Sequence, residues 1–148
     1  MPLQQISVFL DNRPGSLSEA IGYLDKSEIK IFALSIADAG EFGLIRMITE
    51  DPERAMKILE GSDFNLAKSK KNIEVTAALI TDKDTVSRIA KILADKGLNI
   101  EYAYSSPVCS NGNFALVLRV NDLEKAEKIL KDNNVTVLSF DEMIKCFL

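Results

Sequence analysis

The sequence predicts an α+β protein made of two tandem βαββαβ sandwiches, each an antiparallel sheet with helices on one face. Three observations carry this. Apolar residues alternate with period two in several short runs, and between those runs they recur with the helical period. The same order of runs appears twice along the 148 residues, with a repeat of about 70. Residue strings also match between the copies: Phe42-Gly43-Leu44-Ile45 with Phe114-Ala115-Leu116-Val117, and Glu53-Arg54-Ala55-Met56-Lys57-Ile58-Leu59 with Glu124-Lys125-Ala126-Glu127-Lys128-Ile129-Leu130. A repeat that long is a complete small domain rather than a solenoid unit. The expected domains are residues 1–70 and 71–148.

Each element follows from local chemistry. Ile6, Val8 and Leu10 form a strand that stops at Asp11-Asn12-Arg13-Pro14-Gly15, a run dense in turn formers. Ser16-Leu17-Ser18-Glu19 fits a capping box with Ser16 as N-cap, and Leu17, Ala20, Ile21 and Leu24 make one apolar helical stripe. Lys30 to Ile36 and Phe42 to Ile48 read as strands joined by a hairpin. Asp51 caps a second helix with Pro52 at its first position, and Phe64-Asn65-Leu66-Ala67 is a short closing strand. The second copy reads as strand Ile73–Ile80, a helix carrying Val86, Ile89, Ala90 and Leu93, and strand Ile100–Tyr104. After a long turn come strand Phe114–Val120, a helix capped by Asp122, strand Val135–Leu138 and a last short helix from Phe140. Two helices on one sheet face bury both apolar stripes. The boundary falls near Ser69 to Asn72, where Lys68, Lys70 and Lys71 are expected to mark a solvated turn, with a phosphate-binding patch as the alternative.

Composition excludes several function classes. The net charge of -4 argues against a protein that wraps nucleic-acid phosphates. No apolar run is long enough for a membrane helix, and the segment from Gln5 to Leu10 is expected to be a strand rather than a signal peptide. There is no His, so Ser-His-Asp and Cys-His nucleophiles are out of reach. Cys109 and Cys146 stand alone, outside any CxxC pair, so neither a zinc site nor a disulfide framework is expected and the compartment reads as reducing, hence cytoplasmic. No Walker A or GxGxxG motif occurs, and no cofactor or metal is expected.

The local feature with chemical shape is Asp11-Asn12-Arg13-Pro14-Gly15-Ser16-Leu17, which joins a strand to a helix N-terminus. Unpaired backbone N–H groups there favour an anion such as a carboxylate. Asn12 can hydrogen-bond an amino or carboxyl group, Asp11 can meet an ammonium, and Pro14-Gly15 makes a tight turn. A plain capped turn is the other reading.

With Asn12-Arg13-Pro14-Gly15-Ser16-Leu17 after the first strand, and Gly97-Leu98-Asn99-Ile100 entering the second strand of the second copy, nearly the whole chain resembles two consecutive ACT domains. The resemblance implies a ferredoxin-like fold with sheet order 4-1-3-2, amino-acid binding between paired domains, and allosteric control of metabolic enzymes or transcription. It implies ligand contacts from Asn12 to Leu17 and from the backbone of the second strand around Phe32, Ala33 and Leu34. The copies depart from the pattern in complementary ways. The first has Ser27-Glu28-Ile29-Lys30-Ile31 where Gly and Asn are expected, and the second has Thr81-Asp82-Lys83-Asp84-Thr85 where Pro-Gly is expected, with the acidic Asp82 and Asp84 disfavouring a bound carboxylate. The working loop is therefore expected in the first copy.

The function this implies is non-catalytic sensing of an amino acid, branched-chain or otherwise apolar, by a regulatory homodimer that acts on a metabolic enzyme. The alternative is an interaction or assembly module without a ligand. An acylphosphatase-like enzyme lacks its glycine-rich signature here, and an RNA-recognition module lacks its basic-aromatic motifs.

Overall fold

The computed structural model describes residues 3–60, 66–109 and 112–147, and of residues 39, 42, 66–72 and 147 the backbone alone. Among them are six strands and five helices, in the order β1 (Leu3–Asp11), α1 (Ser16–Lys26), β2 (Ile31–Ala39), β3 (Phe42–Thr49), α2 (Pro52–Glu60), β4 (Leu66–Ile80), α3 (Val86–Asp95), β5 (Ile100–Ser105), β6 (Phe114–Val120), α4 (Leu123–Asp132) and α5 (Phe140–Phe147). Tertiary contacts divide the chain into two units, Gln4–Ile73 and Glu74–Leu148, the latter together with Leu3. No helix among the described residues is long and apolar enough to cross a membrane.

In the unit Gln4–Ile73, β3 lies between β1 and β2 and is antiparallel to both. Val8, Ile45 and Ile36 form one cross-strand row, and Ile6, Met47 and Leu34 the next. Directly opposed residues share a face, and α1 and α2 cover this one. Ala20 and Leu24 of α1 and Ala55 and Leu59 of α2 join Ile6, Val8, Leu10, Ile45 and Met47 in one buried core. Leu34 and Ile36 are on the same face but on an edge strand, and stay 38% and 53% exposed.

In the unit Glu74–Leu148, β6 lies between β4 and β5. Ala78, Ile80, Leu116, Leu118 and Val120 meet Ile89 and Leu93 of α3 and Ala126, Ile129 and Leu130 of α4 in an equivalent core. On the other side of β4, Val137 bridges to Ala78, giving the order fourth, first, third, second. The expected strand Val135–Leu138 shrinks to this bridge, held by Leu79 N–H to Thr136 O at 2.9 Å and Leu138 N–H to Ala77 O at 2.8 Å. The last helix forms as expected and its Met143 is fully buried.

Three sequence expectations are corrected. First, the turn at Ser69 to Asn72 does not form; the backbone runs extended through β4 from Leu66 to Ile80. The segment is polar but holds no Gly or Pro, so nothing in it forces a reversal. The side chains of Lys68, Lys70 and Lys71 lie outside the described residues, as do Phe64 and Asn65 of the expected closing strand. Second, the match of Phe42 with Phe114 slips by one residue. β1 pairs Leu10 with Gly43, and β4 pairs Ile80 with Phe114, so Gly43 is the counterpart of Phe114. A one-residue slip moves every side chain to the other face. Third, Cys109 and Cys146 are not isolated thiols; their sulfurs are paired as a disulfide. Spacing along the chain hid this, because the fold brings Cα atoms 37 residues apart to 5.6 Å.

The slip-corrected repeat is visible in the backbone. Asn121 N–H donates to Asn99 O (3.3 Å) and Asn99 N–H to Asn121 Oδ1 (3.0 Å), while Glu50 N–H donates to Lys30 O (2.9 Å) and Lys30 N–H to Glu50 Oε1 (3.3 Å). The same brace is built twice from different side chains. Gly97 ends α3 in the left-handed region at φ 74°, and Glu28 takes the equivalent turn after α1 at φ 60° although it carries a Cβ.

Candidate functional site

The loop between β1 and α1 folds into a type II turn. Ser16 N–H donates to Arg13 O at 3.3 Å, Pro14 stands at the second position, and Gly15 at the third has φ 91° and ψ -17°. Only a glycine takes that position without a steric cost, which explains the Pro14-Gly15 pair. The turn also fixes where the helix starts. Gly15 becomes the N-cap, with no side-chain cap, and Glu19 N–H donates to Gly15 O at 2.9 Å.

The expected capping box is therefore replaced. Ser16 is the first helical residue, and its hydroxyl turns inward instead of capping. The residue is 5% exposed and its Oγ has no hydrogen-bond partner. Glu19 lies 3.7 Å from Arg13 rather than reaching back to the cap, and Arg13 lies 3.8 Å from Asp11. Both pairs are half-exposed, so they hold little energy and leave the guanidinium able to move.

Ser16 opens on a cavity of about 100 Å3 whose walls include Leu10, Asp11, Asn12, Arg13, Leu17 and, from the hairpin, Ile36 and Ile45. Gly43 completes the wall opposite Leu10. A Cβ built on Gly43 meets nothing within 4 Å. In the other unit the counterpart position holds Phe114, packed on the core beside Ile80. The cavity exists where Gly43 omits the side chain that Phe114 supplies.

The expected site residues separate into groups. Asp11, Asn12, Arg13, Ser16 and Leu17 line the cavity, and Pro14 and Gly15 shape the turn beside it. Asn12 also braces the β2–β3 turn, since its Nδ2 donates to Gly40 O (3.1 Å) and Asp38 Oδ1 (3.4 Å). Phe32, Ala33 and Leu34 are not brought to the cavity. A bulge between Ile31 and Ala33 leaves Phe32 and Ala33 each 2% exposed, and β2 reaches the cavity through Ile36 instead. Leu10, Ile36, Gly43 and Ile45 were missed because they come together only through strand register. The signal that could have found them was Gly43, a glycine inside an apolar strand.

The chemistry of the cavity is mixed. The Leu17 and Ser18 amides precede the first intrahelical bond and favour negative charge, as does Arg13, while Asp11 favours an ammonium. The remaining walls are aliphatic. Among the described residues no group of His, Cys, Asp or Glu could hold a metal ion.

The corresponding loop in the other unit closes on itself. Thr81 Oγ1 accepts from Lys83 N–H (3.2 Å) and Asp84 N–H (3.0 Å), and Thr85 caps α3 by accepting from Arg88 N–H at 3.1 Å. Arg88 is held by Asp84 at 2.6 Å and by Asn133 O at 3.1 Å. The α3 start thus has a side-chain cap on Arg88 N–H, whereas the α1 start has no side-chain cap.

Comparison with known proteins agrees with this fold. A crystal structure of a protein from Bacteroides thetaiotaomicron is similar at 29% identity and TM-score 0.84, covering 97% of this chain and 96% of that one. The ligand-free regulatory subunit of aspartate kinase from Thermus thermophilus is similar in fold at 12% identity and TM-score 0.66, covering 88% and 93%. Its counterpart from Thermus flavus gives 15% and 0.63, covering 88% and 90%. Among curated proteins no significant sequence relative is found. Residues 1–146 match the family described as an ACT domain pair, and the chain belongs to that family.

Proposed function

We propose that this chain is a non-catalytic regulatory protein that senses a small amino acid at the loop between β1 and α1. The observation that carries this is Ser16 Oγ, a hydroxyl buried without a partner at a helix N-terminus, on a residue that lines the cavity. A buried polar atom without a partner costs about 1–3 kcal/mol, a cost that a bound ligand would remove. The ligand's carboxylate would meet Ser16 Oγ and the first-turn amides, and its ammonium would meet Asp11. Its side chain would lie against Leu10, Leu17, Ile36 and Ile45, which favours an apolar amino acid, branched-chain ones included. The volume is small against the roughly 300–1,000 Å3 of drug-sized pockets, which favours a ligand of few heavy atoms.

Regulation would follow by linkage, since a ligand that binds one state of the protein shifts it toward that state. The output in this reading is a metabolic enzyme, in line with the aspartate kinase regulatory subunits that share the fold. A homodimer is part of the proposal: β2 is an edge strand carrying the exposed Leu34 and Ile36, and such edges are ordinarily covered. Calorimetric titration with each of the twenty amino acids tests the sensing role. Saturable heat from one or a few small apolar members is expected. Heat from none of them would leave the assembly-module reading in its place.

A further inference from the structure

We propose that Cys109 and Cys146 form a reversible redox clasp that fixes the last turn of α5 over the groove floored by Leu79 and Leu138. Their Cα atoms lie 5.6 Å apart, within the range that a disulfide spans without backbone movement. The two ends of the pair are held in different ways. Cys109 sits in the β5–β6 connection, where its N–H donates to Asn113 O at 2.6 Å. Just before it, Ser106 N–H donates to Ala115 O (2.9 Å) and Ala115 N–H donates to Ser106 Oγ (2.9 Å). That side of the clasp is anchored to the sheet.

Cys146 lies in the last turn of α5, whose first turn is independently secured. Ser139 and Glu142 form a reciprocal capping box, with Glu142 N–H donating to Ser139 Oγ (3.2 Å) and Ser139 N–H to Glu142 Oε1 (3.1 Å). Met143 is fully buried. Beyond Met143, Lys145 is exposed and Ile144 is half-buried, so among the described side chains the cross-link is the strong tether of the final turn. Both cysteines are themselves half-buried and line an open groove of about 350 Å3, within reach of a small reductant.

The redox step is a thiol–disulfide exchange with a dithiol reductant. One thiolate of the reductant attacks a cysteine Sγ, the S–S bond breaks and a mixed disulfide forms. The second reductant thiol then resolves it. The protein gains two electrons and two protons and ends as two thiols; the dithiol ends as a disulfide. With the S–S bond broken, the last turn of α5 frays while its capped first turn and Met143 stay in place. The groove over Leu79 and Leu138 opens as a result.

The test is hydrogen exchange of the native full chain, oxidised with oxidised glutathione and then reduced with dithiothreitol. Peptide mass mapping of each state follows the cross-link. The oxidised protein should yield one linked Cys109–Cys146 peptide pair and no free thiol. Reduction should speed exchange of the Ile144, Lys145 and Cys146 amides at least tenfold, with α1 and β3 unchanged. The double variant Cys109→Ser, Cys146→Ser should show the fast exchange under both conditions. Two free thiols persisting after oxidation would overturn the proposal. So would equal exchange in the two states, or slow exchange in the double variant.

Discussion

Replacing Gly43 with Val tests whether the cavity, rather than the loop alone, is where a ligand binds. The glycine is in a regular strand, is not among the residues with positive φ, and a Cβ there meets nothing within 4 Å. The backbone therefore accepts a side chain without strain. Gly43 stands opposite Leu10, so a valine projects into the cavity of about 100 Å3. Burying a whole Val side chain is worth about 1.5 kcal/mol, and an opening this exposed would capture about half of that. Removing a strand glycine adds about 0.5–1 kcal/mol through lower unfolded-state entropy. The variant should thus be about 1–2 kcal/mol more stable than the parent without ligand, read as a higher urea midpoint at unchanged slope. Calorimetry with the tightest-binding amino acid should show affinity reduced at least tenfold, because the valine methyls occupy the ligand's space. Unchanged affinity in a folded Gly43→Val protein would refute the placement of the site. A large loss of stability would refute the register that aims position 43 into the cavity.

The remaining predictions separate ligand chemistry from fold chemistry. Ser16→Ala removes a buried hydroxyl that has no partner, so the apo protein should gain about 1 kcal/mol in urea unfolding while losing at least tenfold in amino-acid affinity. A loss of apo stability would mean that the hydroxyl is engaged by the protein. Glu28→Gly relieves an exposed left-handed residue at φ 60° and should stabilise by about 0.5–1 kcal/mol without touching affinity. Destabilisation in thermal melts would show that the left-handed turn after α1 is misassigned.

Much of the fold was legible because helix stripes and strand alternation are set by side-chain period alone. Leu17, Ala20 and Leu24 marked α1, and Val86, Ile89 and Leu93 marked α3, without knowledge of the partners. What was not legible depends on pairing between distant residues. The one-residue slip between the copies of β3 could not be seen in Phe42-Gly43-Leu44-Ile45, since every residue there except the glycine is apolar and either face is acceptable. That slip hid the equivalence of Gly43 and Phe114, and with it the reason a cavity sits in one unit. The run Ser69 to Asn72 read as a turn from polarity, but polarity without Gly or Pro does not bend a chain. At the loop itself, Pro14-Gly15 correctly marked a tight turn. Its type then moved the cap from Ser16 to Gly15 and turned the hydroxyl inward, a consequence of φ rather than of composition. The second loop was read as hostile to a carboxylate through Asp82 and Asp84. Its structure gives a further reason, since Thr81 and Thr85 already satisfy the local amides.

Backbone amide chemical shifts, followed by nuclear magnetic resonance while the tightest-binding amino acid is added, test the central claim most directly. The account predicts that the largest saturable shifts fall on Leu17 and Ser18, at the start of α1, with smaller ones on Ile36 and Gly43. The amides of Val86, Ser87 and Arg88 should stay in place, because Thr85 caps that helix. Shifts of equal size at both helix starts, or shifts confined to α3, would contradict it.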